Sequence, residues 1–290
     1  MRLFVHCAFK RPGGHTMRSR LLQSLLLAGI LGASALGMGG CVTVTPEHVP
    51  LSQAARDSIV STELIAPIKQ SEIYLFVPPS QVAAAGGGGL LLALIDAGVD
   101  SARTHNAEEA VKTVRDSVID YNFDEVLRAD LQKSMSTVPF LKLDGVRVTK
   151  DVTDASLDAA IVQSKASAVL FTSADYQLSN DGSILTVVIS ANLFANSDAL
   201  QALKPPKGDA KIKTAVSNAL YRNRLTYTAP LPGIIGDRTN NLAIWSANNG
   251  AELRKALNAG SAALAAKLAE DIQAAPGVPV VLADTAGAGR

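Results

Sequence analysis

The side chains that could do chemistry are few and scattered. Five carboxylates crowd one stretch: Asp116, Asp120, Asp124, Glu125 and Asp130. Two acids facing each other across a cleft could perform acid–base work on a glycan, but the spacing suits a solvated helix face at least as well. His105 precedes Glu108 and Glu109 at helical spacing, yet no second imidazole is near in sequence to complete a metal site. Residues 86–89 are four consecutive glycines. A phosphate loop would follow them with Lys and Ser or Thr, whereas Leu90 and Leu91 stand there. Leu91 also falls where a dinucleotide fingerprint counted from Gly86 needs its third glycine. No Gly-x-Ser-x-Gly elbow occurs. Trp245, the single tryptophan, could stack on a glycan or a partner, or fill a core. These residues predict no cofactor, no metal and no catalytic centre.

Cys41 is the exception, because of what precedes it. Arg18 and Arg20 lead into a charge-free apolar run, residues 21–40, that ends in small residues, the layout of a secretory signal. Met38-Gly39-Gly40-Cys41 resembles the lipobox of bacterial lipoproteins, with Met in place of the usual Leu. The resemblance implies cleavage before Cys41 by signal peptidase II and diacylglycerol on its thiol. The alternative is ordinary cleavage near Ala33-Ser34-Ala35, which leaves a free thiol in an oxidising compartment. Val42 is not the Asp that retains such lipoproteins in the inner membrane. The resemblance therefore implies an outer-membrane anchor facing the periplasm, with the Lol lipoprotein-sorting machinery as transport partner. Met17-Arg18-Ser19-Arg20 is a normal signal beginning, so Met17 is expected to be the initiator. Cys7 would then precede the true start.

Cleavage at Gly40 would leave 250 of the 290 residues and remove five basic side chains but no acid. The product would carry 22 basic and 26 acidic residues, net −4, with no electrostatic footprint for nucleic acid. A single remaining cysteine excludes a disulfide framework, so the fold must rest on its own apolar core.

The pattern that must position these residues reads as follows. Residues 41–55 form the lipidated Cys and a tether, 56–273 one domain, and 274–290 a flexible tail. Extended segments are expected over 58–65 and 68–77, broken by Pro67. From Leu90, the residues Leu91, Leu94, Ile95, Gly98, Val99 and Ala102 recur at helical spacing, and the first five form a candidate contact face for a partner or a membrane. A second helix spans 123–135, with Asn122 as N-cap and Phe123, Val126, Leu127, Leu131 and Met135 inward. Residues 141–148 are one kinked strand or a hairpin about Asp144-Gly145. A helix capped by Asp154 follows, with Leu157, Ala160 and Ile161 inward. Over 167–194 the Asp181-Gly182 turn precedes a strand with Leu185, Val187, Ile189, Ala191 and Leu193 on one face and Thr186, Ser190 and Asn192 on the other, a β-hairpin. Residues 219–233 read as a strand ended by prolines. Asn249 and Glu252 suggest a capping box for a last helix that buries Leu253, Leu257, Gly260, Leu264, Leu268 and Ile272.

The element order gives an α+β fold: a mixed β-sheet with helices packed on one face, a β-α-β-α-β-β core plus a C-terminal strand and helix. Ala129-Asp130-Leu131, Ala159-Ala160, Ala168-Val169-Leu170 and Asp181-Gly182-Ser183 make the core resemble the periplasmic domain shared by the TolB N-terminal region and the curli secretion protein CsgG. The chain is also similar to Gram-negative outer-membrane lipoproteins with a Gly-rich run before an ALIDAGV-like helix. Together these resemblances imply a non-enzymatic accessory or scaffold subunit in cell-envelope assembly or transport, partnered by an envelope protein or by further copies of itself. A pore-forming secretion subunit is the first alternative, and a cell-wall glycan-acting enzyme the second.

Overall fold

A computed structural model describes residues 48–78, 90–205, 216–233 and 236–274, with the backbone alone for 90–103 and 216. All of them lie in one unit, Val44–Arg290. The fold is α+β, built on a six-stranded mixed sheet in the order β3-β1-β4-β5-β6, with a short β2 beside β4. The strands are β1 Thr62–Pro67, β2 Tyr74–Leu75, β3 Leu143–Thr149, β4 Ala168–Leu178, β5 Ile184–Ala195 and β6 Tyr221–Pro230. The helices are α1 Gln53–Ser58, α2 Leu90–Ser117, α3 Phe123–Met135, α4 Asp154–Gln163, α5 Asp198–Gln201 and α6 Arg238–Gln273.

Strand β1 pairs parallel with β3 and β4, as helical crossovers require. β4, β5 and β6 run antiparallel through the expected hairpin. Alternation along β4 divides its residues between two faces. Ala168, Leu170, Ala174, Tyr176 and Leu178 join the main core with α2, α3 and α6. Val169 and Phe171 join a smaller cluster with Ile65, Phe194, Ala160 and Ile161. Thus α4 packs on the face opposite the larger helices, over one corner of the sheet. Beyond that corner the second face carries Ser173, Asp175 and Gln177, the polar side of an antiparallel sheet open to solvent.

The structure corrects several local expectations. Of the two alternatives for residues 141–148, the single kinked strand is the one present: the register with β1 skips from Leu143 to Gly145, leaving Asp144 as a bulge. The N-cap of α4 is Thr153, in a capping box with Ser156, because Asp154 is already helical. Residues 48–55 do not form a tether. Val49 bridges Arg222 in both directions (2.9 and 3.0 Å), Leu51 and Ala55 are buried, and Ser52 caps α1. Asn122 caps α3 as expected, its side chain accepting from Glu125 N–H.

Helix α6 is broken. Ala247 is extended, and Asn248, Asn249 and Gly250 are all left-handed, at φ 51, 56 and 68°. Asn249 is therefore inside the break and caps nothing, contrary to the capping-box reading. The first arm, residues 238–246, grips the β4–β5 turn. Trp245 Nε1 donates to Gly182 O (2.7 Å), and Asn241 Nδ2 to Asp181 O (2.9 Å). The second arm buries all six expected residues, Leu253, Leu257, Gly260, Leu264, Leu268 and Ile272.

Candidate functional site

Two polar constellations stand out against this frame. The first is a cleft of about 520 Å³ between the second half of α2, the start of α3, the segment before β2, and Tyr176 of β4. Between β1 and β2 the chain leaves the sheet and lines the cleft with Ser71, Glu72 and Ile73. There the Gln70 side chain replaces strand backbone, donating to Tyr176 O (2.6 Å) and accepting from Tyr176 N–H (2.9 Å). Tyr176 is thereby fixed with its ring 4.6 Å from that of Phe123 and its side chain at the cleft.

The charged rim is organised by Arg115. Its Nε donates to Ile73 O (2.7 Å) and lies 3.3 Å from a Glu72 oxygen, while Nη1 binds Glu108. Lys112 pairs with Asp116 at 3.2 Å. Tyr121 Oη donates to Asn258 Oδ1 (2.8 Å). Burial pushes the Tyr121 hydroxyl up to about 12, against the pull of Arg254 and with help from Asp130. Burial also raises Tyr176, aided by Asp124, Tyr121 and Glu72. Both phenols stay protonated under physiological conditions.

The second constellation joins the start of the described chain to the end of α6. Asp271, buried on the inward stripe, accepts from Tyr221 Oη (2.7 Å) and Asn223 Nδ2 (2.8 Å) and meets His48 Nε2 at 3.1 Å. Burial raises the Tyr221 hydroxyl, and the Asp271 charge adds to it. Arg56 donates to the carbonyls of Gln273 and Ala274, closing the helix C-terminus with a cation where the helix dipole favours one.

The candidate residues from the sequence fall as follows. Cys41 lies outside the described residues. Leu91, Leu94, Ile95, Gly98 and Val99 lie on the backbone of α2, and their side chains are outside the description. Further along the same helix, Ala107, Val111 and Val114 are buried in the main core. The five crowded carboxylates are separately engaged: Asp116 with Lys112, Asp120 with Arg254, Asp124 with Lys150, Glu125 with Arg128, and Asp130 with Ser261. His105 is exposed, and among the described residues no three metal-ligating side chains converge. Tyr176 and Asp271 do not stand out among the candidates in the sequence. Each had a signal: a tyrosine in phase with the inward residues of β4, and an acid on the buried stripe of α6.

No family model matches the chain, and no curated protein matches it. Among solved structures, the chain is similar to the PelC dodecamer from Paraburkholderia phytofirmans. The identity is 8%, covering 77% of this chain and 93% of that one, with a TM-score of 0.28. A point variant of that dodecamer matches at 9% identity, covering 69% and 91%, with a TM-score of 0.24. Likenesses at these TM-scores say nothing about fold or function here.

Proposed function

We propose that the chain is an outer-membrane lipoprotein facing the periplasm, acylated at Cys41, that serves as a non-enzymatic accessory or scaffold subunit in envelope assembly or transport. Its partners are the Lol machinery during sorting and an envelope protein, or further copies of itself, at its destination. The observation that supports this most is the lipobox-like Met38-Gly39-Gly40-Cys41. Several acyl chains at Cys41 would hold far more firmly than the marginal grip of one.

Two measurements test the proposal. Intact-mass analysis of protein purified from native membranes should find a diacylglycerol-modified Cys41 at the mature N-terminus, and Cys41→Ser should abolish both the modification and the processing. An unmodified N-terminus at Leu36 would refute the anchor. Affinity purification of the tagged protein from membranes should then recover a stable envelope complex. Turnover of cell-wall fragments by the purified protein would overturn the scaffold role and leave the anchor standing.

A further inference from the structure

The cleft beside α2 is unbalanced in a particular way. Glu72, Glu108, Glu109 and Asp116 line it, against Lys112 and Arg115. Both cations are already engaged, Lys112 by Asp116 and Arg115 by Glu72 and Glu108. Glu109 has no partner among the described residues. An anion entering here would meet a surplus of carboxylates and no uncommitted cation.

Tyr176 supplies an independent observation. It is 6% exposed and lines the cleft, and its hydroxyl makes no hydrogen bond among the described residues. That oxygen is open to the cleft rather than sealed from it, so it is free to accept a hydrogen bond from a ligand there. Beside it lie the apolar surfaces of Val118 and Ile119, the latter 85% exposed, which suit a methylene chain better than a hydrated metal ion.

We propose that this cleft binds a primary alkylammonium group, the head of a lysine side chain or of a free diamine or polyamine. The ammonium donates to the Tyr176 hydroxyl and to Glu72, and the methylene stem lies on Val118 and Ile119. An ammonium has three donors and no acceptor, which matches a site made of acceptors. Aromatic faces favour a desolvated cation further. The assignment is independent of the lipid anchor and of the scaffold role.

The test is calorimetric titration of the full-length lipidated protein in detergent at low ionic strength. The probes are cadaverine, spermidine and Nα-acetyl-lysine amide. Pentanediol and the doubly acetylated lysine amide are the uncharged controls. The amines should bind and the controls should not, with affinity falling as salt is added. Loss of a hydrogen bond to a charged group should make Tyr176→Phe about tenfold weaker or worse, and Glu72→Gln should weaken binding as well. Tighter binding of the free diamines points to a small-molecule ligand. Equal or tighter binding of the lysine amide points to a protein lysine. Both outcomes support the class. The proposal fails if no amine binds at about 10 mM, if the uncharged controls bind equally, or if both variants bind like the parent. Should Tyr176→Phe not fold, Glu72→Gln decides alone, since the Glu72 side chain is 63% exposed.

Discussion

Asp271 shows how one residue can be visible in a sequence and still not stand out. It falls on the same helical stripe as Leu264 and Leu268, where an acid is out of place unless something binds it. The binders are Tyr221 and Asn223 on β6 and His48 ahead of α1, which no local pattern connects to residue 271. Tyr221→Phe removes a buried hydrogen bond to a carboxylate and should cost about 1.5–3 kcal/mol, read from urea unfolding. Thr172 gives the opposite expectation. Its hydroxyl is buried without a partner among the described residues, on a strand position that favours β-branched residues. Thr172→Val keeps the shape, removes the desolvated hydroxyl and should raise stability by about 1 kcal/mol. Trp245 was legible in kind, since a lone tryptophan near a helix usually packs inward, and it is 1% exposed. Its bond to Gly182 O was not legible, because it joins residues far apart in the chain.

At the scale of elements, alternation and turn chemistry carried the reading where they were strong. The hairpin about Asp181-Gly182 and the caps at Asn122 and Thr153 are local physics, and the sequence showed them to within a residue. The break in α6 is different. Asn-Asn-Gly reads as a place where a helix begins, but the structure runs three left-handed residues there after a helical arm that the pattern did not disclose. Tertiary contact explains the geometry: a Cβ on Gly250 would lie 2.5 Å from Val118 Cγ1 and 3.0 Å from Ser117 Oγ. Arg254 secures the same junction, donating to Asn249 O and Ser117 O (2.8 and 3.0 Å). Gly250→Ala combines a positive φ with overpacking, and should cost about 2–4 kcal/mol. If its urea midpoint stays at the parental value, the tight contact is not real. The first half of α2 permits a separate test of the contact face expected at Leu91, Leu94, Ile95, Gly98 and Val99. With single cysteines in a Cys7-free, lipid-anchored protein, the scaffold proposal expects a water-soluble maleimide to label position 96. Position 91 should resist that reagent and a lipid-dissolved one. Strong labelling of position 91 from the lipid phase would favour the pore.

At the scale of the whole molecule, the buried tyrosines and the chain entry set the limits of stability. Tyr121, Tyr176 and Tyr221 are all raised by burial in the folded protein, while the unfolded chain ionises near 10. Their contribution is therefore full below about pH 10 and is lost as pH rises through the folded values. Urea unfolding between about pH 9 and 12 should show stability falling with pH, and Tyr221→Phe should flatten the slope; a pH-independent stability in that range would contradict it. The entry of the chain bears on the domain boundary. The sequence has no strong periodicity over residues 41–55, which is why they read as a tether, yet part of that stretch is fastened to the domain. Starting the chain at Arg56 deletes Leu51, which is 1% exposed, the Ser52 cap of α1, both hydrogen bonds between Val49 and Arg222, and the His48 contact to Asp271. Burial of one leucine is worth about 2 kcal/mol, and each net hydrogen bond and cap adds about 1 kcal/mol. A chain starting at Arg56 should then be at least ~3 kcal/mol less stable than one starting at His48. Equal midpoints for the two would restore the long tether.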